Sequence, residues 1–349
     1  MKQLEKVAVI TYNLGGPNNL DAVKPFLFNL FNDKAIISLP QPFRKYLAKF
    51  ISSKRENTAK EIYQAIGGKS PILAETLKQN QALEKHLLKT KKANFKVFNF
   101  MRYWHPFPSE TLVEVKNFDP EQIILLPLYP QFSTTTTKSA IKAWADCCKL
   151  NKLSYKTHNI CCYPDHRDFI AAHCDLINKS LRKHKLKKYR ILFSAHGLPE
   201  KIIQKGDPYQ WQIEFTVKNI IQKLNIKNLD YKICYQSKVG PMKWLEPNTE
   251  SEVQLAAEED TPLIIVPIAF VSEHSETLYE LDIEYKNIAE KHNLKNYIRV
   301  PALSNHPDYI KCLANLCLEK LQTDKSALHE KTIICPNKFC QCYNTADRP

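Results

Sequence analysis

LIIVPIAFVSEHSETLYELDIEY, residues 263–285, changes character half-way along. Leu263–Ile268 is an unbroken apolar run rich in β-branched residues, the pattern of a strand covered on both faces of a parallel sheet. Charge follows at once. Ser272 and Ser275 can cap a helix, and Glu276, Glu280 and Glu284 then recur at i, i+4 and i+8, so an α-helix carries three carboxylates along one face. Such a row is as often a solvated surface. Here, however, the nearby lysine is Lys286, and Leu278, Leu281 and Ile283 occupy the other sides. Glu273, His274 and Glu276 stand just past the carboxyl end of a buried strand, where open α/β sheets hold their ligands.

Other short apolar blocks repeat this grammar. Lys6–Tyr12 runs into NLGGP, Phe95–Met101 into RYWHP, Ile123–Leu128 into YPQF, Tyr189–Ala195 into HGLP and Tyr231–Tyr235 into QSK. Helical periods fill the intervals at Ile72–Leu88, Phe169–Leu181 and Trp211–Leu224. Strands alternating with helices predict doubly wound parallel sheets whose polar endings gather on one rim. A short internal repeat argues for two of them: NLGGP at 13–17 resembles AHGLP at 195–199, and ILLPLYPQF at 124–132 resembles IIVPIAFVS at 264–272. The first half is longer by about the segment Ile36–Ser70. In this alignment Leu14 stands where the second half has His196, which assigns the chemistry to the second half and an apolar platform to the first.

Composition bounds the function. A chain of 349 residues with 44% hydrophobic and 10% aromatic residues is enough for two globular cores. Its apolar runs are far shorter than a membrane span, and the acid in MKQLEKVAVI interrupts any signal-peptide core, so the expected location is the cytoplasm. The net charge of +14 comes from scattered lysines with no basic helix or aromatic RNA-binding motif, which argues against nucleic acid as partner. Eleven cysteines in a cytoplasmic chain read as thiols or metal ligands rather than disulfides.

His196 lies between a strand and Gly197, where it either stabilises a turn or handles a metal or proton. Together with His274 and the carboxylates it makes a donor set compatible with Fe²⁺. Tyr12, Tyr103, Trp104, Tyr129, Phe132, Tyr235 and Trp244 fall near the same rim and suit a large, flat, apolar ligand. In the inserted segment, Phe43, Tyr46, Leu47, Phe50 and Ile51 alternate with Arg44, Lys45, Lys49, Lys54 and Arg55. That pattern fits either an ordinary packed helix or a lip touching a membrane or an apolar ligand.

These motifs, with IGGKSPI at 66–72, LYPQFS at 128–133 and QSKVGPMKWLEP at 236–247, resemble the ferrochelatase family in order and over most of the chain. The resemblance implies a chelatase fold: an N-terminal half over 1–160 with a porphyrin lip at about 36–70, a C-terminal half over 161–324 with the metal site, and a cysteine-containing extension at 325–349. It implies a lyase that inserts Fe²⁺ into protoporphyrin IX, releases two protons and completes haem synthesis. By the matching motifs His196 and Glu276 are the catalytic and metal-binding pair with His274 beside them, and Glu273, Glu280 and Glu284 form an acidic path. Leu14, Arg102, Tyr103, Tyr129 and Trp244 match ring contacts, while Arg55, Tyr63 and Ser70 match positions facing the propionates. Animal members carry a further lysine where Thr58 aligns, for which Lys60 is the substitute here. A homodimer and a peripheral contact on the inner face of the membrane are compatible with the family.

ICPNKFCQC at 334–342 brings Cys335, Cys340 and Cys342 close in sequence. They are either a reduced tail or three ligands of a metal centre, with zinc the competitor to an iron–sulfur cluster. Some chelatases hold a [2Fe-2S] cluster here. The animal type draws its fourth thiolate from the segment that reads Ser133-Thr134 in this chain, so that arrangement is absent, and Cys161 or Cys162 in ICCYP is the expected substitute. A porphyrin carrier would need the aromatic rim but not the acidic row. A chelatase for cobalt or sirohaem chemistry would meet a far more polar substrate than this apolar lip suits.

Overall fold

The computed structural model describes residues 4–322 and 335–342. Residues 325–334 and 343–349 of the expected C-terminal extension lie outside the described residues. The chain divides into two compact units. One takes the described residues up to Leu128, Ser133–Cys161 and the chain from Leu313; the other takes Tyr129–Phe132, Cys162–Cys312 and the tail from Cys335.

In the first unit β1 (Lys6–Asn13), β2 (Asn94–Met101), β3 (Gln122–Pro127) and β4 (Lys156–Asn159) form a sheet of order β2-β1-β3-β4, with every pair parallel. The apolar run Val7–Ile10 is wholly buried, as expected of a central strand covered on both faces. Tyr12 stacks on Phe100 at 5.5 Å, and Phe100 on Trp144 at 5.7 Å, so Tyr12 belongs to the core and not to a ligand rim. The inserted segment forms a helix over Phe43–Ala65. It buries Ala48, Ser52 and Tyr63 and leaves Phe43, Tyr46 and Phe50 about two-thirds exposed, at 66%, 71% and 65%.

The second unit repeats the plan. β5 (Arg190–His196), β6 (Asp230–Gln236), β7 (Leu263–Pro267) and β8 (Tyr297–Arg299) run parallel in the order β6-β5-β7-β8. NLGGP and AHGLP therefore close equivalent strands. In both sheets the order reverses beside the first strand, which opens a crevice at the carboxyl ends of β1 and β3, and of β5 and β7. Phe132, expected at the rim, is completely buried. His173, on the helix Arg167–His184, is also buried, with its ring edge-on to Phe169 at 4.8 Å and Nε2 without a hydrogen-bond partner. Burial and the nearby His306 push its pKa down to about 3, so it is folded as a neutral ring.

Two features depart from the sequence expectation. β4 and β8 are edge strands of four and three residues, held by pairing with a neighbour rather than by any pattern of their own. The carboxylate row lies on a π-helix over Glu276–Glu284, continued by an α-helix over Tyr285–Lys291. The Tyr285 N–H reaches back to the Glu280 carbonyl, the i→i+5 step that widens a turn and that recurs at functional sites. Spacing of four residues suits either helix, so sequence alone favours the common one.

Candidate active site

β5 delivers His196 to its carboxyl end, and the loop after β7 delivers Glu273–Glu276 to the same switch point. Gly197 follows because the chain must pass close to β6: its N–H donates to the Gln236 carbonyl at 2.8 Å, and a Cβ would stand 2.9 Å from that oxygen. The Tyr209 hydroxyl donates to the His196 carbonyl at 3.0 Å and fixes the backbone. Thr277 starts the π-helix by accepting the His274 N–H at 3.0 Å and donating to the His274 carbonyl at 3.1 Å. Ser275, expected as a cap, makes no side-chain capping bond.

His196 Nδ1 lies 3.0 Å from Glu276 Oε2. His274 Nδ1 lies 3.0 Å from the Ser272 carbonyl, an oxygen that can only accept, so Nδ1 carries the proton and Nε2 faces Glu276 Oε2 at 3.6 Å. Gln236 Nε2 donates to the Glu276 carbonyl and to Glu280 Oε2, both at 3.0 Å, and Ser237 Oγ donates to Glu280 Oε1 at 2.9 Å. Gln236 is held in turn by the Ser194 hydroxyl at 2.8 Å. The sequence motif QSK contained Gln236 and Ser237, but only the fold brings them to the acids.

The charges in this group are tightly linked. Burial opposes a charged His196, yet Glu276 beside it outweighs burial and raises its pKa. Burial likewise opposes an ionised Glu276, but His196 and then His274 hold its carboxyl well below the usual range. Glu280 goes the other way. Burial and the Glu276 charge push it up to about 7, against the hydrogen bonds of Ser237 and Gln236. Glu284 is exposed at the far end of the row, its pKa raised by partial desolvation and by Glu250. Glu280 thus exchanges its proton near neutrality beside an ionised Glu276, and the His196 side chain remains 37% exposed to what enters.

Glu273 does not join the row. Its Oε1 accepts from Arg299 Nη1 at 2.6 Å and from the Ala302 N–H at 2.9 Å. Trp244 and Tyr235 are buried, the indole Nε1 of Trp244 donating to the Val239 carbonyl at 3.1 Å. Tyr129 is half-buried.

The expected porphyrin contacts of the first unit form their own assembly. Leu14, Tyr63 and Tyr103 pack in one apolar cluster with Phe26, Phe31 and Trp104. Arg102 lies over the Tyr103 ring at 4.9 Å, and both side chains converge on Asp33: Arg102 Nη2 at 2.8 Å and the Tyr103 hydroxyl at 2.7 Å. Burial opposes the Asp33 charge, but Arg102, Ser139 and Tyr103 outweigh it and keep the carboxyl ionised. Asp33 had no sequence signal, since its partners are distant along the chain. Arg55 lies over the Phe31 ring at 5.9 Å. Ser70 packs on Gly16, where a Cβ would meet its side chain at 2.5 Å.

In the second unit the Gln212 side-chain amide donates to Cys335 Sγ at 3.0 Å and to Cys162 Sγ at 3.4 Å. A hydrogen bond with Cys162 lowers the Cys335 pKa, but contact with Cys342 and burial outweigh it and hold the thiol up at about 12. Cys340 is exposed and its thiol faces the Lys205 carbonyl at 3.6 Å. Cys161 is buried. Among the described residues no group of three or more His, Cys, Asp or Glu is arranged to hold a metal ion.

The ferrochelatase family model matches residues 6–321. Curated relatives named ferrochelatase are 57% identical over 314 residues in a Wolbachia of Drosophila simulans, covering 90% of this chain and 99% of that one, and 52% identical over 341 residues in Rickettsia felis, covering 97% and 98%. The chain belongs to the ferrochelatase family. As a ferrochelatase it is a lyase of the terminal step of haem biosynthesis, taking Fe²⁺ and a porphyrin as substrates. The sirohydrochlorin chelatase SirB of Bacillus subtilis subspecies spizizenii, solved with cobalt, superposes with a TM-score of 0.51 at 10% identity over 91% of this ferrochelatase and 95% of its own chain. SirB from Bacillus subtilis with Fe³⁺ gives 0.50 at 11% identity, over 91% and 96%. At such identity the likeness is one of fold, the chelatase fold. No helix among the described residues is long and apolar enough to cross a membrane.

Proposed function

We propose that the porphyrin is protoporphyrin IX and that His196 and Glu276 are the pair that meets the metal and the ring protons. The observation that carries this reading is the 3.0 Å contact of His196 Nδ1 with Glu276 Oε2 at the switch point of the second sheet, backed by Glu280. A free porphyrin is planar and its two N–H groups block the centre, so insertion requires a bent ring, two proton acceptors and a partly dehydrated cation. Distortion costs about 1–5 kcal/mol, which binding of the wide apolar faces offsets. Glu276 stabilises the His196 imidazolium at Nδ1 and so makes the ring a stronger base; once His196 has passed on its own proton, Nε2 accepts one from a pyrrole, and proton transfer of this kind contributes about 10²–10⁴ in rate. Glu280 takes up or releases the next proton, and Glu284 continues the row. Leu14, Arg102, Tyr103, Tyr129 and Trp244 serve the ring faces. Arg55, Tyr63 and Ser70 serve the propionates, while Asp33 fixes Arg102. The test is anaerobic incubation with Fe²⁺ and either protoporphyrin IX or coproporphyrin, followed by the porphyrin spectrum. Faster turnover of the tetracarboxylic ring would overturn the choice of substrate.

The tail thiols fit a [2Fe-2S] cluster in chemistry: Cys162 and Cys335 share the Gln212 amide, and Cys342 lies beside Cys335. Cys162, Cys335, Cys340 and Cys342 would hold it, and when bound it supplies a thiolate-ligated anchor for the tail. Cys162→Ser should abolish visible thiolate-to-iron absorption and acid-labile sulfide in anaerobically purified protein, whereas Cys161→Ser should keep both. The opposite result reassigns the fourth ligand.

The exposed row Phe43, Tyr46 and Phe50, with Arg44, Lys45 and Lys49 between them, supports a peripheral contact with an anionic membrane surface, here its inner face. Co-sedimentation with vesicles containing phosphatidylglycerol should fall on Phe43→Ser/Phe50→Ser. Concentration-dependent dimerisation lost in that variant, with vesicle binding unchanged, would assign the row to a second copy instead.

A further inference from the structure

Arg299 lies on the outermost strand of the second sheet, remote in sequence from every residue of the metal row. β8 is only Tyr297–Arg299, paired to β7 with Leu263↔Tyr297 and Ile265↔Arg299. Residues two apart on a strand share a face, and here both reach the same helix. The Tyr297 hydroxyl donates to the Leu281 carbonyl of the π-helix. Arg299 Nε donates to Asp282 Oδ1 at 2.8 Å, and Nη2 reaches the other oxygen of that carboxylate. The remaining arm, Nη1, donates at 2.6 Å to Glu273, whose oxygen also takes the Ala302 N–H. The Arg299 side chain is only 12% exposed and Glu273 20%, so little water competes for these bonds.

We propose that Arg299 is the positioning residue of the metal row, tying the loop before the π-helix, the middle of that helix and the loop after β8 into one node, with Tyr297 as a second point of attachment. The π-helix needs such a tie. Its i→i+5 turn is less favourable than the α-helical one, and relaxation to an α-helical turn would shift Glu280 and Glu284 relative to Glu276. A planar fork spanning Asp282 and Glu273 resists that shift in a way a point charge cannot. Glu276 and Glu280 are then presented to His196 and Gln236 by groups that themselves touch no substrate.

The inference rests on the iron-insertion reading of this site, and its test separates the two. In Arg299→Gln, kcat for Fe²⁺ insertion should fall about 10–100-fold, the scale of a misplacement near 1 Å, while the KM for porphyrin stays within about twofold. Arg299→Lys should recover part of the loss. Amide hydrogen exchange over Glu276–Glu284 should quicken by about tenfold or more, with the amides of β5 unchanged. Arg190→Lys is the control, because Arg190 makes a comparable bridge to Asp230 and Glu259 at the opposite end of the same sheet; its kcat should be unchanged. Should Arg299→Gln fail to fold, Asp282→Asn, which leaves the Glu273 arm intact, is expected to lower kcat in the same sense. A folded Arg299→Gln with normal kcat overturns the proposal, as does a loss matched by Arg190→Lys in proportion to lost stability. Absence of iron insertion by the unaltered protein would instead overturn the proposed function.

Discussion

β1 and β5 hold the same place in sheets of the same strand order, yet they deliver different groups to their carboxyl ends. β1 ends in Asn13, whose side-chain oxygen accepts the Leu14 N–H at 2.8 Å, and the next residues pack into an apolar cluster. β5 ends in His196, paired with an acid. After β3 come hydroxyls, with Ser133 and Thr135 joined at 2.9 Å, and an ordinary α-helix over Thr137–Leu150. After β7 come carboxylates and a π-helix. Hydroxyls stay neutral near pH 7 and hold a cation poorly; imidazole titrates there, carboxylate is charged, and both are good ligands for divalent iron. On the proposed reading one scaffold thus serves two purposes, and a handful of rim residues decides which.

Exchange of function between the rims is the strongest challenge to this contrast. His196→Ala should lower kcat by about 10²–10⁴ with porphyrin affinity retained, whereas Leu14→Ala should weaken porphyrin binding by about tenfold, the scale of one lost Leu contact, with kcat nearly kept. Fluorescence quenching and anaerobic iron insertion read the two effects, and equal loss of kcat in both variants would break the division of labour. Next in size is Gly197→Ala. Its added methyl meets the Gln236 carbonyl, so the His196 end of β5 must move, at about 1–3 kcal/mol in stability, measured by urea titration together with a fall in kcat. The third prediction concerns pH. Among the described residues of the first unit no histidine is buried as His173 is in the second. Its folded pKa, about 3, lies below the unfolded value of about 6.5, so the unfolded chain alone takes up a proton between these values. His173 thus lowers stability as pH falls below about 6.5, by at most about 1.4 kcal/mol per pH unit, and His173→Leu should flatten that slope. The smallest effect is expected from Tyr297→Phe, which removes one hydroxyl from the π-helix attachment and should cost about 1 kcal/mol.

Six strands were legible because each apolar block stops at a residue of unlike character, and the two halves repeat the same endings. KTHN and YIR carry no such mark; β4 and β8 exist because a neighbouring strand offers unpaired amides. The proximity of His196 and Glu276 was legible in the same way, since each follows the end of an apolar block. The residues around them were not: Gln236, Ser237 and Arg299 act through partners distant in sequence, as Asp33 does for Arg102 and Tyr103 in the first unit, and nothing local distinguishes Arg299 from a surface arginine. Aromatic content misled in one direction. Tyr12 and Phe132 stand beside rim motifs but point into the cores.

The brevity of β8 has a further cost. Three residues at the margin of a sheet, hydrogen-bonded on one side, are among the first parts of a fold to fray, and in this protein the π-helix is moored to them. Mild urea should accordingly silence iron insertion at concentrations where circular dichroism still reports an intact molecule.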